Sequence, residues 1–190
     1  MPEKFLREIR LHGRGGQGVW TSARVLSIAA MYEGYNIKSF PEFGPERTGA
    51  PTVNFVRYSN ESIRQACGIE EPDYVIVIEP NLFGTKKDEI LKGVKPNGKL
   101  IVNCSEKLEF PNVETHTIDV TTLARKKYNI EHANIGILGG YIRIAGDVSL
   151  ESMSRAIMDE MVKTDVGGKK ITKAAEVNVQ LMKDVYGKIV

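Results

Sequence analysis

The run His12-Gly-Arg-Gly-Gly-Gln-Gly18 sets four glycines within seven residues. No helix interior tolerates that density, because each glycine adds chain entropy that folding must remove. Ahead of it, Phe5-Leu-Arg-Glu-Ile-Arg-Leu11 reads as a strand. Behind it, Val19, Ala23, Leu26 and Ala30 recur at helical spacing, and Gly34 stands just past them, where a C-cap glycine belongs. The first unit is therefore strand, glycine turn, helix. Within the turn, Gly13-x-Gly15-x-x-Gly18 fits the dinucleotide-binding fingerprint, in which glycines admit a close backbone approach and the helix N-terminus attracts an anion. The plainer reading of the same spacing is that the glycines let a strand pack closely on its helix.

A nicotinamide-dependent enzyme presents Asp or Glu at the end of its second strand to hold a ribose. Here that region reads Asn36-Ile-Lys-Ser-Phe-Pro41, and the next acid, Glu42, lies beyond the proline. Arg14 inside the turn and the added Gly16-Gln17 also depart from an NAD loop. A second constellation, Phe40-Pro-Glu-Phe-Gly-Pro-Glu-Arg-Thr-Gly-Ala-Pro51, places three prolines, two acids and an arginine between two strands. Proline limits φ, so Glu46 and Arg47 would be offered from a backbone with little entropy to lose on binding. That suits a docking surface or the edge of an active site, against the alternative of a rigid crossover with a surface ion pair.

Further along, strands are expected at Tyr35 to Phe40 and Thr52 to Tyr58, with Ser62 to Ala66 folding back from the Ser59-Asn60-Glu61 turn as a hairpin partner. Tyr74-Val-Ile-Val-Ile78 is a continuous apolar run, the mark of a central parallel strand covered on both faces. A helix at Thr85 to Leu91 and strands at Lys99 to Asn103 and Glu114 to Ile118 continue the alternation. Helices follow at Thr121 to Tyr128 and Asn134 to Ala145, with Asn134 as an N-cap. Leu150, Met153, Ile157 and Met161 keep one apolar face, and Ile171, Ala174, Leu181 and Val185 another, with Gly167-Gly168 as the joint between them. The expectation is one α/β domain over residues 1–190, Rossmann-like, with a mostly parallel sheet, a β-hairpin and a helical C-terminal part.

Composition narrows the function. Net charge is +2 with both signs interleaved, which provides no electrostatic footprint for nucleic acid. No apolar run reaches the roughly 18 residues of a membrane span, and the N-terminus has no signal-like segment, so a cytoplasmic address without membrane contact is expected. Cys67 and Cys104 are too few for a disulfide framework or a cluster held by this chain, and read as buried small hydrophobes. His12 reads as a hydrogen-bonded structural histidine, and Trp20 as core or interface.

Together, His12-Gly-Arg-Gly-Gly-Gln-Gly-Val19 and Phe43-Gly-Pro-Glu-Arg-Thr-Gly-Ala-Pro51 resemble the gamma subunit of the 2-oxoacid:ferredoxin oxidoreductases, most of all that of the pyruvate enzymes. The resemblance continues through Pro72-Asp-Tyr-Val-Ile-Val-Ile-Glu79, Gly98-Lys-Leu-Ile-Val-Asn103 and Asn134-Ile-Gly-Ile-Leu-Gly-Gly140, and so covers nearly the whole chain. It implies a multi-subunit enzyme that decarboxylates a 2-oxoacid on thiamine diphosphate with Mg2+, passes electrons through 4Fe–4S clusters to ferredoxin, and delivers the acyl group to coenzyme A. It further implies alpha, beta and delta-type partner chains that carry the thiamine and the clusters, leaving this chain without a cofactor of its own and inactive alone. Gly13, Arg14, Gly15, Gly16, Gln17, Gly18, Glu46 and Arg47 are the candidates for a cofactor-binding or active-site edge. The alternatives are an independent nucleotide-binding Rossmann oxidoreductase and a non-catalytic scaffold.

Overall fold

A computed structural model describes residues 4–42, 48–163 and 169–189. The glycine run joins β1 (Leu6–Arg14) to α1 (Val19–Tyr32), and Gly34, at φ 87°, follows the helix end as expected. Then come β2 (Asn36–Pro41), β3 (Pro51–Ser59), β4 (Tyr74–Val77), α2 (Phe83–Leu91), β5 (Lys99–Val102) and β6 (Glu114–Thr117). Four helices complete the chain: α3 (Val120–Leu123), α4 (Gly136–Ala145), α5 (Leu150–Lys163) and α6 (Lys169–Lys188). The six strands form one sheet in the order β2-β3-β1-β4-β5-β6. β1, β4, β5 and β6 run parallel, while β3 lies antiparallel between β1 and β2.

Strand alternation divides the core in two. Ile9, Leu11, Val56, Tyr58, Ile76 and Ile101 share a cluster with α1, α4, α5 and α6. On the other side Val75, Val77, Leu100 and Val102 meet Leu82 and Ile90 from the α2 region. β4 and β5 are thus apolar on both faces, which accounts for their unbroken hydrophobic runs. Polar residues are admitted where the backbone needs them. Buried Arg10 donates to the carbonyls of Ile90 (3.0 Å) and Lys92 (2.6 Å), placing a cation on the C-terminal end of α2.

Ser62 to Ala66 forms no strand. Both edges of β3 are already taken by β1 and β2, so no ladder is left for a second hairpin partner; the hairpin is β2–β3 instead. The segment after it is tied down by a side chain, with Arg57 donating to the carbonyls of Cys67 (2.6 Å) and Gly68 (3.0 Å). The helix expected over Thr121 to Tyr128 divides into α3 and a π-helical turn, Ala124–Tyr128, that ends on Asn129 in the left-handed region. Cys67 is exposed and Cys104 half-buried, contrary to their reading as core residues. The Gly167-Gly168 joint lies outside the described residues.

Candidate functional site

The glycine turn is closed by hydrogen bonds within the protein. The backbone of Gly15 pairs with the loop before β3, donating to Ala50 (2.8 Å) and accepting from Gly49 (3.0 Å). Gln17 accepts from the Arg14 amide through Oε1 (2.8 Å) and donates through Nε2 to Glu79 (2.8 Å) at the end of β4. Glu79 in turn accepts from the amide of Asn81 (3.1 Å), capping the 3-10 turn before α2. Gln17 is therefore a clasp between the turn and the neighbouring strand end. Arg14 donates to the Gly49 carbonyl (3.0 Å), so its head is held along the loop.

Glycine is required here for two distinct reasons. At Gly13 an added Cβ would lie 2.5 Å from Val19 Cγ2, so strand and helix could not meet. At Gly18, φ is +74° and a Cβ would lie 2.5 Å from Asn134 Nδ2. Asn134 is not an N-cap: α4 starts two residues later and lacks a side-chain cap. Its amide donates to the Gly18 carbonyl (3.1 Å), while Ser22 Oγ donates to the Asn134 carbonyl (3.0 Å), strapping the loop before α4 to the start of α1.

Beside the turn, where the parallel strands end, is a cleft of about 380 Å3 lined by Gln17, Glu79, Asn103, Cys104, Arg125 and His132 among others. Such a position, outside the carboxyl ends of parallel strands, is where open α/β sheets place ligands. Asn103 builds its floor, donating to Ile78 O (3.1 Å) and Thr121 Oγ1 (2.9 Å) and accepting from the Val120 amide (3.1 Å). One side chain thereby joins β4, β5 and α3. Arg125 reaches the cleft from the π-helical turn. Sequence reasoning missed Glu79, Asn103 and Arg125. A polar residue closing an apolar strand was a usable signal for the first two, whereas Arg125-Lys-Lys127 reads as a solvated charge run.

The sequence candidates are divided by the structure. Gly13, Arg14, Gly15, Gly16, Gln17 and Gly18 form one turn, with Gln17 alone of them lining the cleft. Glu46 and Arg47 lie outside the described residues. His12 is buried and its Nε2 has no hydrogen-bond partner; burial, reinforced by the Arg10 charge, lowers its pKa to about 3 and keeps it neutral. The strand beside β1 on the hairpin side is antiparallel β3, not a parallel second strand ending in a ribose-binding acid. Among the described residues no group of three or more His, Cys, Asp or Glu is placed to hold a metal ion.

Fold and turn define an α/β chain whose glycine loop is braced rather than open, and comparison supplies its kin. Residues 8–187 match the family model described as pyruvate ferredoxin/flavodoxin oxidoreductase, and the chain belongs to that family. Its relatives are gamma-type subunits. It is 39% identical over 180 residues to the pyruvate synthase subunit PorC of Methanocaldococcus jannaschii, covering 95% of this chain and 99% of that one. It is also 39% identical to the pyruvate/ketoisovalerate oxidoreductases common subunit gamma of Thermococcus litoralis, covering 88% and 92%. The crystal structure of pyruvate oxidoreductase subunit PORC from Thermotoga maritima superposes with a TM-score of 0.78 at 29% identity, covering 96% of both chains.

Proposed function

We propose that the chain is the gamma subunit of a pyruvate:ferredoxin oxidoreductase, which converts pyruvate and coenzyme A to acetyl-CoA and CO2 while reducing ferredoxin. The observation that carries this reading is the near end-to-end match to a pyruvate synthase subunit, combined with a glycine turn braced by the protein's own Gln17–Glu79 clasp. In this reading the alpha, beta and delta-type chains hold thiamine diphosphate, Mg2+ and the 4Fe–4S clusters. The gamma chain, read as one domain in the cytoplasm, shapes the approach of coenzyme A. Its glycine turn and the Glu46–Arg47 loop form that edge. Among the described residues no helix is long and apolar enough to cross a membrane.

The antiparallel β3 beside β1 argues against an independent dinucleotide enzyme. Calorimetry with NAD(H) is expected to show binding no tighter than millimolar, about −4 kcal/mol; a micromolar constant would promote that alternative. Arg47→Ala tests the edge. It is expected to change the isolated chain's stability by less than about 0.5 kcal/mol, yet to raise the Michaelis constant for coenzyme A or weaken assembly. Unchanged assembly, Michaelis constants and turnover would reduce the loop to a crossover.

A further inference from the structure

Four of the chain's seven tyrosines, Tyr35, Tyr58, Tyr74 and Tyr141, meet at the end of the sheet opposite the cleft. Tyr58, near the end of β3, packs its ring against Tyr35 just ahead of β2 (centroids 5.3 Å) and Phe5 just ahead of β1 (6.1 Å). Tyr74, the first residue of β4, meets Tyr141 of α4 edge-on (5.2 Å). Tyr58 and Tyr141 are wholly buried and joined hydroxyl to hydroxyl (2.5 Å), whereas Tyr35 is half-buried and reaches solvent. Tyr58 also donates to Asp147 (2.7 Å), whose other carboxylate oxygen accepts from Arg7 (2.7 Å). A phenol has one proton to donate, so with that of Tyr58 directed at Asp147, Tyr141 is the donor between the two hydroxyls. The hydrogen bonds run from Tyr141 to Tyr58 to Asp147.

Removing one electron from a phenol makes its hydroxyl strongly acidic, so a buried tyrosine is oxidised readily only where a base is placed to take the proton. Tyr58 has that base in Asp147; among the described residues the other three tyrosines of the cluster donate to no carboxylate. Burial, reinforced by the Asp147 charge, pushes the Tyr58 phenol far above its ordinary range, so it keeps its proton until the electron leaves. Charge also decides where oxidation comes to rest. The Arg7 guanidinium lies 5.1 Å from the rings of both Phe5 and Tyr74, which opposes a second positive charge on either. Tyr32 and Tyr128 donate to Asp159 and Asp184, but each is half-buried with a cation, Arg155 or Lys127, over its ring.

We propose that Tyr58, flanked by Tyr141 and Asp147, is a redox-active tyrosine that receives one-electron oxidation from the surface through Tyr35. A diffusible oxidant of the peroxyl-radical class takes an electron from the Tyr35 ring and is itself reduced to the peroxide anion. Tyr58 then refills Tyr35 with an electron while its hydroxyl proton passes to Asp147, leaving a neutral phenoxyl radical that still accepts the hydrogen bond from Tyr141. A thiolate at the surface reverses the step: it returns an electron by way of Tyr35 and becomes a thiyl radical, and Asp147 returns the proton. The site keeps oxidation away from the cleft and its Cys104. β1 rises about 3.3 Å per residue, so Arg7 in this cluster and Arg14 in the glycine turn are about 23 Å apart. The site needs no partner chain.

The full chain is oxidised with photogenerated tris(bipyridine)ruthenium(III), a one-electron oxidant, and frozen at intervals for electron paramagnetic resonance. The expected result is a tyrosyl signal that lives at least tenfold longer than any signal from Tyr58→Phe. Tyr35→Phe should slow its appearance severalfold and leave its lifetime unchanged, and Tyr128→Phe should alter neither. Replacing Tyr58 by difluorotyrosine keeps the hydroxyl and should add fluorine splitting to the signal, which locates the radical. A persistent signal without that splitting belongs to another side chain, such as Tyr32 or the exposed Trp20, and overturns the proposal. So does a lifetime that Tyr58→Phe leaves unchanged, or the absence of any persistent signal. Asp147→Asn, whose amide cannot take the proton, should abolish the long-lived signal; its survival there removes Asp147 as the base and overturns the mechanism. If Asp147→Asn fails to fold, the wild-type chain in D2O decides: the signal should grow about half as fast as in H2O, and equal rates overturn the proton transfer.

Discussion

Gly18 and His12 show how single residues hold the turn and its strand. Gly18→Ala meets both a positive φ and a contact with Asn134, so it is expected to cost on the order of 1–3 kcal/mol in a urea melt. Combining it with Asn134→Ala should recover only part of that, because the contact is relieved and the backbone conformation is not; full recovery would locate the whole cost in the contact. His12 acts through protons. Its folded pKa, about 3, lies below the unfolded value, so between about pH 6.5 and pH 3 the unfolded chain binds more protons and stability falls as pH falls. His12→Leu should remove up to about 1.4 kcal/mol per pH unit of that slope, read from melts at pH 6, 5 and 4. The turn itself was legible in the sequence, since four glycines in seven residues permit little else. Its bracing was not: Gln17 meets Glu79 across 62 residues and Gly18 meets Asn134 across 116, distances at which spacing carries no signal.

Elements meet backbone to backbone at α4 and α6. A Cβ at Gly139 would overlap the Met182 carbonyl oxygen, and one at Gly136 would lie 2.9 Å from Leu181 Cγ, so these glycines let the two helices approach along their backbones. Gly139→Ala is expected to push α6 outward and cost about 2 kcal/mol or more. Amide exchange should quicken across α6 while β4 and β5 keep their protection; uniform quickening would mean that the helices unfold only with the sheet. Most elements were legible because their periodicities are clean, as in α1 and the apolar β4. The hairpin misassignment at Ser62 to Ala66 has a physical source: turn chemistry announces that the chain reverses, but not whether the strand it returns to has a free edge. The π-helical turn at Ala124–Tyr128 was also hidden, since a helical pattern does not reveal one extra residue in a turn.

At the scale of the whole molecule, the expected outcome is a folded chain with no pyruvate-dependent ferredoxin reduction alone, and turnover on reconstitution with its partner chains. Turnover by the isolated chain would contradict the subunit assignment. The sheet order bears as well on how the molecule is made. β1 sits between β3 and β4, so the residues opposite Leu11 are Asn54 on one side and Ile76 on the other, tens of residues downstream. At about 5–20 residues per second of synthesis, β1 waits on the order of several seconds before β4 exists to cover its second edge. During that interval an apolar strand with open edges is vulnerable to pairing with a neighbouring nascent chain, and the central place that makes β1 secure in the finished sheet makes it the most exposed strand during translation.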